Sequence, residues 1–309
     1  MPSLEARGLS KRFGSFTALD SASFRYEGGG AVGYLGPNGA GKTTTLKLFS
    51  GLLRPSAGRA IVNGVDVRTD PKSALWEVGA MIETPEPYGS LTARDTLSMI
   101  GEFRGMAPES IRERTDLYAQ KLDLPPLDRA TAKLSKGQKQ RVVLAAILMT
   151  DPSVLLLDEP TNGLDPAERV IIRNLLVELK HQNRLILMSS HLLQEVTEIC
   201  DRVIFINQGK IILQDTVESI GNRFKVTSLD VEFSRPVEGS ALAKIPGVAR
   251  VQPVSPTKVR LEFDGSEDAR TRILEACQKV APVTSFSSSV LGLEDAYIKL
   301  VQAPEAIPR

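Results

Sequence analysis

The stretch AVGYLGPNGAGKTTTLKLFSGL, residues 31–52, decides the fold. The apolar run AVGYL is typical of a strand, a glycine-rich turn follows it, and TLKLFSGL is predicted to be helical. In this arrangement backbone N–H groups of the turn surround phosphate oxygens, and the helix N-terminus adds partial positive charge. The pattern therefore predicts a Walker A loop that binds a nucleoside triphosphate. The predicted nucleotide contacts are Gly36, Pro37, Asn38, Gly39, Ala40, Gly41, Lys42, Thr43 and Thr44.

Two side chains of this loop have distinct predicted roles. Lys42 is expected to reach the β and γ phosphates, and the Thr43 hydroxyl is expected to ligate Mg²⁺. A glycine-rich turn could match the pattern by accident, but glycine usage gives that roughly a one per cent chance in this chain. The flanking strand and helix make an accidental match rarer still, so we interpret this turn as a phosphate loop.

A second apolar strand, VLLLD at residues 154–158, delivers two carboxylates to one edge of the predicted sheet. Ligands of open α/β folds bind at that edge. Asp158 is expected to hold Mg²⁺ through its water shell, and Glu159 to polarise the attacking water as the catalytic base. By itself, a strand that ends in two acids is most often only a solvent-exposed strand end. The phosphate loop elsewhere in the chain favours a functional role for these two acids.

Composition excludes several classes of protein. The 309 residues, 42% of them hydrophobic, suffice for two domains with a substantial core. The 38 Lys and Arg residues nearly balance the 37 Asp and Glu residues, so no overall basic field recruits nucleic acid, and no polybasic run holds a membrane surface. We therefore expect no nucleic-acid partner.

The number of cysteines and the length of the apolar runs indicate the cellular compartment of the chain. Cys200 and Cys277 are too few for a disulfide framework or a zinc ligand cluster. The start MPSLEARGLSKRFG lacks the apolar core of a secretory signal, and charges interrupt each apolar run before the roughly 18 residues that span a bilayer. We expect a cytoplasmic chain that does not itself cross a membrane.

The order of elements predicts an α/β domain over residues 1–218. Residues 4–69 are strand-rich, with Asn63-Gly64 as a hairpin turn, and residues of about 85–150 are helical, with apolar residues at helical spacing. The apolar runs at 154–158 and 184–191 flank a helical stretch, which is typical of a βαβ unit with a buried parallel sheet. The spaced apolar residues of the helical part are Leu91, Leu97, Ile100, Phe103, Ile111 and Leu117.

A different module is predicted over residues 219–309. Apolar and polar residues alternate at 229–233 and 259–263, as in half-buried strands. A short helix ending near Pro246, a strand at 248–253, a helix opening at Ser266 and a strand near 282–287 complete a small α+β domain, of which a ferredoxin-like arrangement is one form. A last helix is predicted around Leu293–Leu300.

These motifs, in this order, resemble the nucleotide-binding domain of ABC transporters over residues 4 to about 218. LSKGQKQRV, residues 134–142, resembles the signature motif, with Lys136 where a glycine is common. Ser135 and Gly137 open a predicted helix whose N-terminus suits a phosphate. The resemblance implies that Ser135, Gly137 and Gln138 contact the ATP held by the other protomer of a dimer. By itself the segment could be an ordinary capped helix.

Three further positions match family motifs. Asp165, in NGLDP, resembles the D-loop that crosses the dimer interface, and it is also a plausible helix N-cap before Pro166. His191 resembles the switch histidine that contacts the γ phosphate and joins Glu159 and Lys42 in the implied catalytic set; a lone histidine at a strand end would otherwise be structural. Phe13, in SKRFG, matches the aromatic residue that stacks on adenine, although a single Phe near a sheet is more often core.

One position departs from the family pattern. In VGAMIETPEPY the Q-loop glutamine, which reaches Mg²⁺ and senses the transmembrane partner, is replaced by Glu83. A carboxylate can still ligate Mg²⁺, but it adds negative charge beside Asp158 and Glu159 and donates no hydrogen bond. This segment resembles the E-loop of bacitracin and lantibiotic self-resistance exporters. A surface glutamate with no role is the alternative.

The resemblance implies the core of an ABC-type P-loop NTPase: an N-terminal antiparallel β-subdomain and a helical subdomain, followed here by the small α+β domain. It implies an ATPase with ATP and Mg²⁺ that works as a homodimer or heterodimer and powers export of a drug, peptide antibiotic or similar substrate. Separate transmembrane permease subunits would hold it at the inner face of the cell membrane, docked near residues 83–104. The alternative is a soluble ABC-type ATPase acting on ribosomes or DNA, whose members usually carry two cassettes or a long insertion between the phosphate loop and Asp158.

Overall fold

The computed structural model describes residues 1–83, 86–223, 227–263 and 265–290. The chain divides into two compact units, Met1–Val217 and Glu218–Arg309. The predicted last helix around Leu293–Leu300 lies outside the described residues.

The first unit contains ten strands and seven α-helices within the described ranges. The strands are β1 (Ser3–Phe13), β2 (Phe16–Glu27), β3 (Gly30–Leu35), β4 (Ala57–Val62), β5 (Val65–Asp66), β6 (Val78–Met81), β7 (Val154–Asp158), β8 (Leu185–Ser190), β9 (Arg202–Asn207) and β10 (Lys210–Thr216). The helices are α1 (Lys42–Phe49), α2 (Pro71–Leu75), α3 (Ala93–Phe103), α4 (Pro108–Lys121), α5 (Lys136–Leu148), α6 (Pro166–His181) and α7 (Leu193–Ile199).

A six-stranded sheet in the order β10-β9-β3-β8-β7-β6 forms the centre of this unit. Neighbours from β9 to β6 are parallel, and β10 is antiparallel to β9. Every residue of β7 and β8 is buried, as expected for strands covered on both faces. The carboxyl ends of β3, β7 and β8 therefore meet at one edge, where Leu35, Asp158 and Ser190 end these strands.

A four-stranded antiparallel sheet in the order β2-β1-β4-β5 contains the N-terminal strands. The predicted hairpin turn is confirmed: Asn63 and Gly64 have φ of 50° and 79° between β4 and β5, the left-handed pair of a type I′ turn. One hydrophobic core joins both sheets. In it the Phe24 ring lies 6.2 Å from that of Tyr34 in β3 and 5.6 Å from that of Phe49 in α1, between ring centroids.

The predicted helical segment contains α3, α4 and α5. Thr92 begins α3 with a capping box to Asp95. Leu97 and Ile111 are buried as predicted, but Phe103, the last residue of α3, is 78% exposed. Leu117 is also exposed, because the buried face of α4 runs through Ile111, Thr115 and Tyr118. No helix in the described part of the chain is long and apolar enough to span a bilayer.

The second unit is a sheet with helices. After α8 (Val217–Arg223) come β11 (Thr227–Phe233), α9 (Gly239–Leu242), β12 (Val248–Pro253), β13 (Lys258–Phe263), α10 (Glu267–Val280) and β14 (Val283–Val290). The strand order β12-β13-β11-β14, with antiparallel neighbours throughout, corresponds to two interleaved β-α-β units. The alternation predicted from sequence is confirmed, because Leu229, Val231 and Phe233 are buried, as are Val259, Leu261 and Phe263.

Candidate functional site

The glycine-rich turn connects β3 to α1, and two of its glycines are required by close packing. A Cβ on Gly36 would lie 2.2 Å from the backbone oxygen of Ile206. Gly41 has φ of 109°, and a Cβ there would lie 2.5 Å from the backbone oxygen of Ala18. Only glycine fits these backbone positions, so the two glycines allow the loop to pack closely against these segments ahead of α1.

Lys42 is enclosed by this loop. Only 6% of the residue is exposed, and its Nζ donates to the Gly36 and Pro37 backbone oxygens at 2.8 and 3.2 Å. Burial lowers the pKa of the Lys42 ammonium, and the nearby carboxylates of Glu159 and Asp158 oppose that shift. The loop thus holds a desolvated amine beside two acids, a position suited to an anionic ligand.

Asp158, the last residue of β7, lies beside the start of α1. Its Oδ2 accepts from the Thr43 hydroxyl at 2.8 Å, and its Oδ1 accepts from the Ser189 hydroxyl at 2.6 Å. The backbone N–H of Glu83 also donates to Oδ2, at 3.3 Å. The structure therefore brings together Thr43 and Asp158, two residues predicted from distant motifs.

Glu159 follows Asp158 in a left-handed conformation, with φ of 46°. Its Oε2 accepts from Asn162 Nδ2 at 2.9 Å and lies 3.1 Å from His191 Nδ1. Its backbone N–H donates to the hydroxyl and the carbonyl oxygen of Ser189, at 3.0 and 3.2 Å. The predicted catalytic pair Glu159 and His191 is therefore in direct contact.

Two phenylalanines line a groove beside the phosphate loop. Phe13 and Phe16 are directly paired across the β1–β2 hairpin, so both side chains lie on the same face. They are 48% and 61% exposed, which shows that Phe13 is not a core residue. The groove is also lined by Ala18, Asn38, Gly39, Gly41, Lys42, Thr43, Thr44 and Glu159.

Glu83 lines the same cleft as Asp158 and Glu159. Its side chain is 64% exposed and forms an ion pair with Lys47 of α1. In this structure Glu83 therefore reaches Asp158 through its backbone N–H and not through its carboxylate.

A cleft separates the phosphate-loop edge from the start of α5. Thr43, Asp158, Glu159 and Asn162 line it on the side of the loop, and Lys136, Lys139, Gln140, Glu83 and Glu86 are the other described residues of its lining. Lys139 pairs with Glu86 at 3.2 Å. The linings of this cleft and of the phenylalanine groove include none of the predicted residues Ser135, Gly137, Gln138 and Asp165 among the described residues.

Two capped helix N-termini meet near the predicted signature motif. Ser135 and Gln138 form a capping box at the start of α5, with both hydrogen bonds at 3.1 Å. Asp165 and Glu168 form another at the start of α6. A Cβ on Gly137 would lie 2.1 Å from Glu168 Oε2, so glycine lets the two helix ends approach.

Arg141 connects these two helices from inside. It is 6% exposed and donates to the Asp123 carbonyl oxygen at 2.7 Å and to Glu168 Oε1 at 3.3 Å.

We expect Arg141→Ala to lower the free energy of unfolding by about 3 kcal/mol, because it leaves a largely buried carboxylate without its cation. Glu168→Gln, which keeps an acceptor and the cap, should cost less than about 1 kcal/mol. Denaturant unfolding followed by circular dichroism measures both; equal stability of Arg141→Ala and the parent chain would contradict this account.

Some residues of the site were not found from the sequence. Asn162 follows Glu159 closely in TNGLD, a position that could have signalled it, whereas Ser189 is one polar residue in the buried run LILMSS. Phe16 pairs with Phe13 only through the hairpin register. Glu195 accepts from the hydroxyl of Thr161 at 2.6 Å and holds the segments after β7 and β8 together.

Comparison with known proteins gives one consistent result. The model of the ABC transporter family matches residues 19–162. The uncharacterized ABC transporter ATP-binding protein YhcH of Bacillus subtilis (strain 168) is 38% identical over 214 residues, which are 68% of this chain and 68% of that protein. The daunorubicin resistance ATP-binding protein DrrA3 of Streptomyces coeruleorubidus is 33% identical over 241 residues, 77% of this chain and 76% of that protein.

A solved structure of the ATP binding subunit of an ABC transporter superposes with a TM-score of 0.67 at 28% identity, covering 72% of this chain and 92% of that one. The sequence and structure comparisons thus agree on the ABC cassette. The chain belongs to the ABC transporter family, as an ATP-binding subunit with an ATPase cassette.

Proposed function

We propose that this subunit hydrolyses ATP to drive export of a drug, peptide antibiotic or similar substrate through separate transmembrane subunits. The convergence of Lys42, Thr43, Asp158, Glu159 and His191 at one sheet edge carries the proposal. The likeness to a daunorubicin resistance protein supports the substrate class.

In the proposed reaction the loop amides and Lys42 bind the triphosphate, and Lys42 offsets the charge that develops on the γ phosphate. Glu159 accepts the proton of the attacking water, while His191 and Asn162 fix its carboxylate. Phe13 stacks on the adenine ring, with Phe16 beside it in the groove.

The donor set at Asp158 fits Mg²⁺. The Thr43 hydroxyl and the Asp158 carboxylate present oxygen atoms within 2.8 Å of each other, and Mg²⁺ prefers oxygen ligands while keeping several waters. When bound, the ion neutralises phosphate charge. We propose Thr43 and Asp158 as its protein ligands, with Glu83, whose Oε1 pairs with Lys47 in this structure, as a third.

Ser135, Gly137, Gln138 and Asp165 are proposed to act on the nucleotide of a second subunit, in a homodimer or a heterodimer. These residues include the N-cap and the first turn of α5, and the N-terminus of a helix is a suitable contact for an anion. Lys136 of α5 lines the cleft beside the chain's own phosphate loop, but the described linings of that cleft and of the phenylalanine groove do not include Ser135, Gly137, Gln138 or Asp165, which supports a role for these four across an interface.

Exposed aromatic residues mark the proposed docking surface for a transmembrane subunit at the inner face of the membrane. Trp76 and Phe103 are 59% and 78% exposed. Arg104 lies over the Trp76 ring, with 5.8 Å from its guanidinium carbon to the ring centroid, and donates to the Trp76 and Val78 backbone oxygens at 2.7 and 3.1 Å. Through these contacts of Arg104, Trp76 and Phe103 lie near β6, the strand that precedes Glu83.

We expect Phe103→Ala to leave ATP hydrolysis by the isolated chain unchanged but to weaken co-purification with its transmembrane partner at least about tenfold, as loss of an exposed aromatic anchor does at an interface. Val170→Ala, at an exposed apolar position of α6, serves as the matched control. Stimulation of phosphate release by candidate compounds in the assembled complex would identify the substrate.

Two results would contradict the proposed function. One is a chain that co-purifies with ribosomes or DNA and not with a membrane protein. The other is a purified complex whose phosphate release no exported compound alters.

A further inference from the structure

Ser189 occupies a position that the proposed catalytic roles leave unexplained. It lies near the end of β8, fully buried, and is paired in the parallel ladder directly with Asp158 of β7. It precedes His191 by two residues. The end of β8 therefore contacts both Asp158 and Glu159, and His191 follows it directly in the chain.

One hydroxyl group serves two residues. The Ser189 hydroxyl donates its only proton to Asp158 Oδ1, at 2.6 Å. It accepts from the backbone N–H of Glu159, at 3.0 Å. The hydrogen bond to Asp158 is short and buried, so competition from water is weak there.

The hydrogen bond to Asp158 helps to fix the orientation of its carboxylate group toward the phosphate loop. With Oδ1 held by Ser189, Oδ2 faces Thr43 and accepts its hydroxyl at 2.8 Å. Rotation of the carboxylate out of this plane would lengthen both contacts. Ser189 therefore orients the oxygen that the proposed metal ligation requires.

The hydrogen bond from Glu159 fixes the backbone of the proposed base. Glu159 has φ of 46°, a conformation that side chains larger than glycine rarely adopt. Its N–H is held by the hydroxyl and the carbonyl oxygen of the same serine. The carboxylate of Glu159 can then meet His191 and Asn162 in the observed geometry.

We propose that Ser189 is a positioning residue for ATP hydrolysis, which aligns Asp158 and Glu159 through a single hydroxyl group. The inference rests on the proposed function, since it assigns Ser189 to the reaction in which these two acids take part. Ser189 acts through both acids, since its hydroxyl group is hydrogen-bonded to Asp158 and to Glu159.

Ser189→Ala in the full chain tests the inference by steady-state phosphate release. We expect kcat to fall about 10- to 100-fold, as for other groups that orient a metal ligand, with the KM for ATP changed less than about twofold because Lys42, the loop amides and the phenylalanine groove are untouched. The Mg²⁺ concentration for half-maximal activity should rise. If Ser189 had only a structural role, Ser189→Ala would lower the melting temperature but would not lower kcat while KM stays nearly unchanged.

Ser190→Ala is the matched control, since Ser190 is an equally buried serine of the same strand whose hydroxyl contacts Glu195 and Leu192 instead. Its kcat should fall less than about threefold, because neither acid loses a partner. Ser189→Thr keeps the hydroxyl and should recover most of the lost kcat. If its added methyl prevents folding, the comparison of the two alanine variants still decides the matter.

The outcomes separate this inference from the proposed function. If Glu159→Gln is inactive while Ser189→Ala keeps the parental kcat and Mg²⁺ dependence, Ser189 has no positioning role and the proposed function stands. If Lys42→Met and Glu159→Gln are both as active as the parent chain, the proposed catalytic site itself is wrong.

Discussion

Glu159→Gln is expected to reduce phosphate release by about 10²- to 10⁴-fold, the contribution typical of a general base. ATP binding should be unchanged. The amide has the shape of the carboxylate, and its oxygen, in the position of Oε2, can still accept from Asn162 Nδ2 and face His191 Nδ1. What it lacks is a lone pair basic enough to take a proton from water.

The measurement pairs phosphate release with nucleotide affinity, so that loss of chemistry is separated from loss of binding. Size-exclusion chromatography in saturating Mg-ATP adds a second readout, because a stalled subunit should accumulate as the proposed two-chain form. Glu86→Gln makes the same carboxylate-to-amide change in the same cleft, at a residue paired with Lys139, and should retain near-parental turnover. Full activity of Glu159→Gln would refute its assignment as the base.

The parts of the site that could be predicted from sequence are those in which local order determines geometry. Gly36 to Thr44 form a loop because strand, turn and helix follow one another in the chain. Asp158 and His191 could be placed together because parallel strands of one sheet end at the same edge. The alternation around Leu229 and Leu261 likewise predicts the buried face of the second sheet.

The remainder depends on contacts between distant segments. Glu83 pairs with Lys47, which lies 36 residues earlier in the chain, and the spacing of the motifs does not reveal this contact. Ser189 faces Asp158 only because β8 and β7 pair in one particular register, and a shift of one residue would place a different side chain there. Exposure of Phe103 follows from where α3 ends. The composition and the periodicity of the sequence reveal neither these contacts between distant segments nor the exposure of Phe103.

Lys42→Met should weaken ATP binding about 10- to 100-fold, the effect of losing one hydrogen bond to a charged group. Phosphate release at saturating ATP should fall by a further factor of about 10²–10³, because the charge that develops on the γ phosphate loses a preorganised cation. The observed enclosure explains why the effect is large: the ammonium is already desolvated, and the Gly36 and Pro37 backbone oxygens hold it at the mouth of the loop.

Lys42→Arg separates charge from shape. Arginine keeps the positive charge but presents a planar, larger group, and the loop that encloses Lys42 has no room to widen, since Gly36 and Gly41 already pack against backbone oxygens of Ile206 and Ala18. We therefore expect Lys42→Arg to bind ATP better than Lys42→Met yet to hydrolyse it as poorly. Equilibrium binding of a fluorescent ATP analogue and single-turnover hydrolysis measure the two effects. Near-parental hydrolysis by Lys42→Arg would mean that charge alone suffices and that the tight enclosure of the ammonium does not contribute to catalysis.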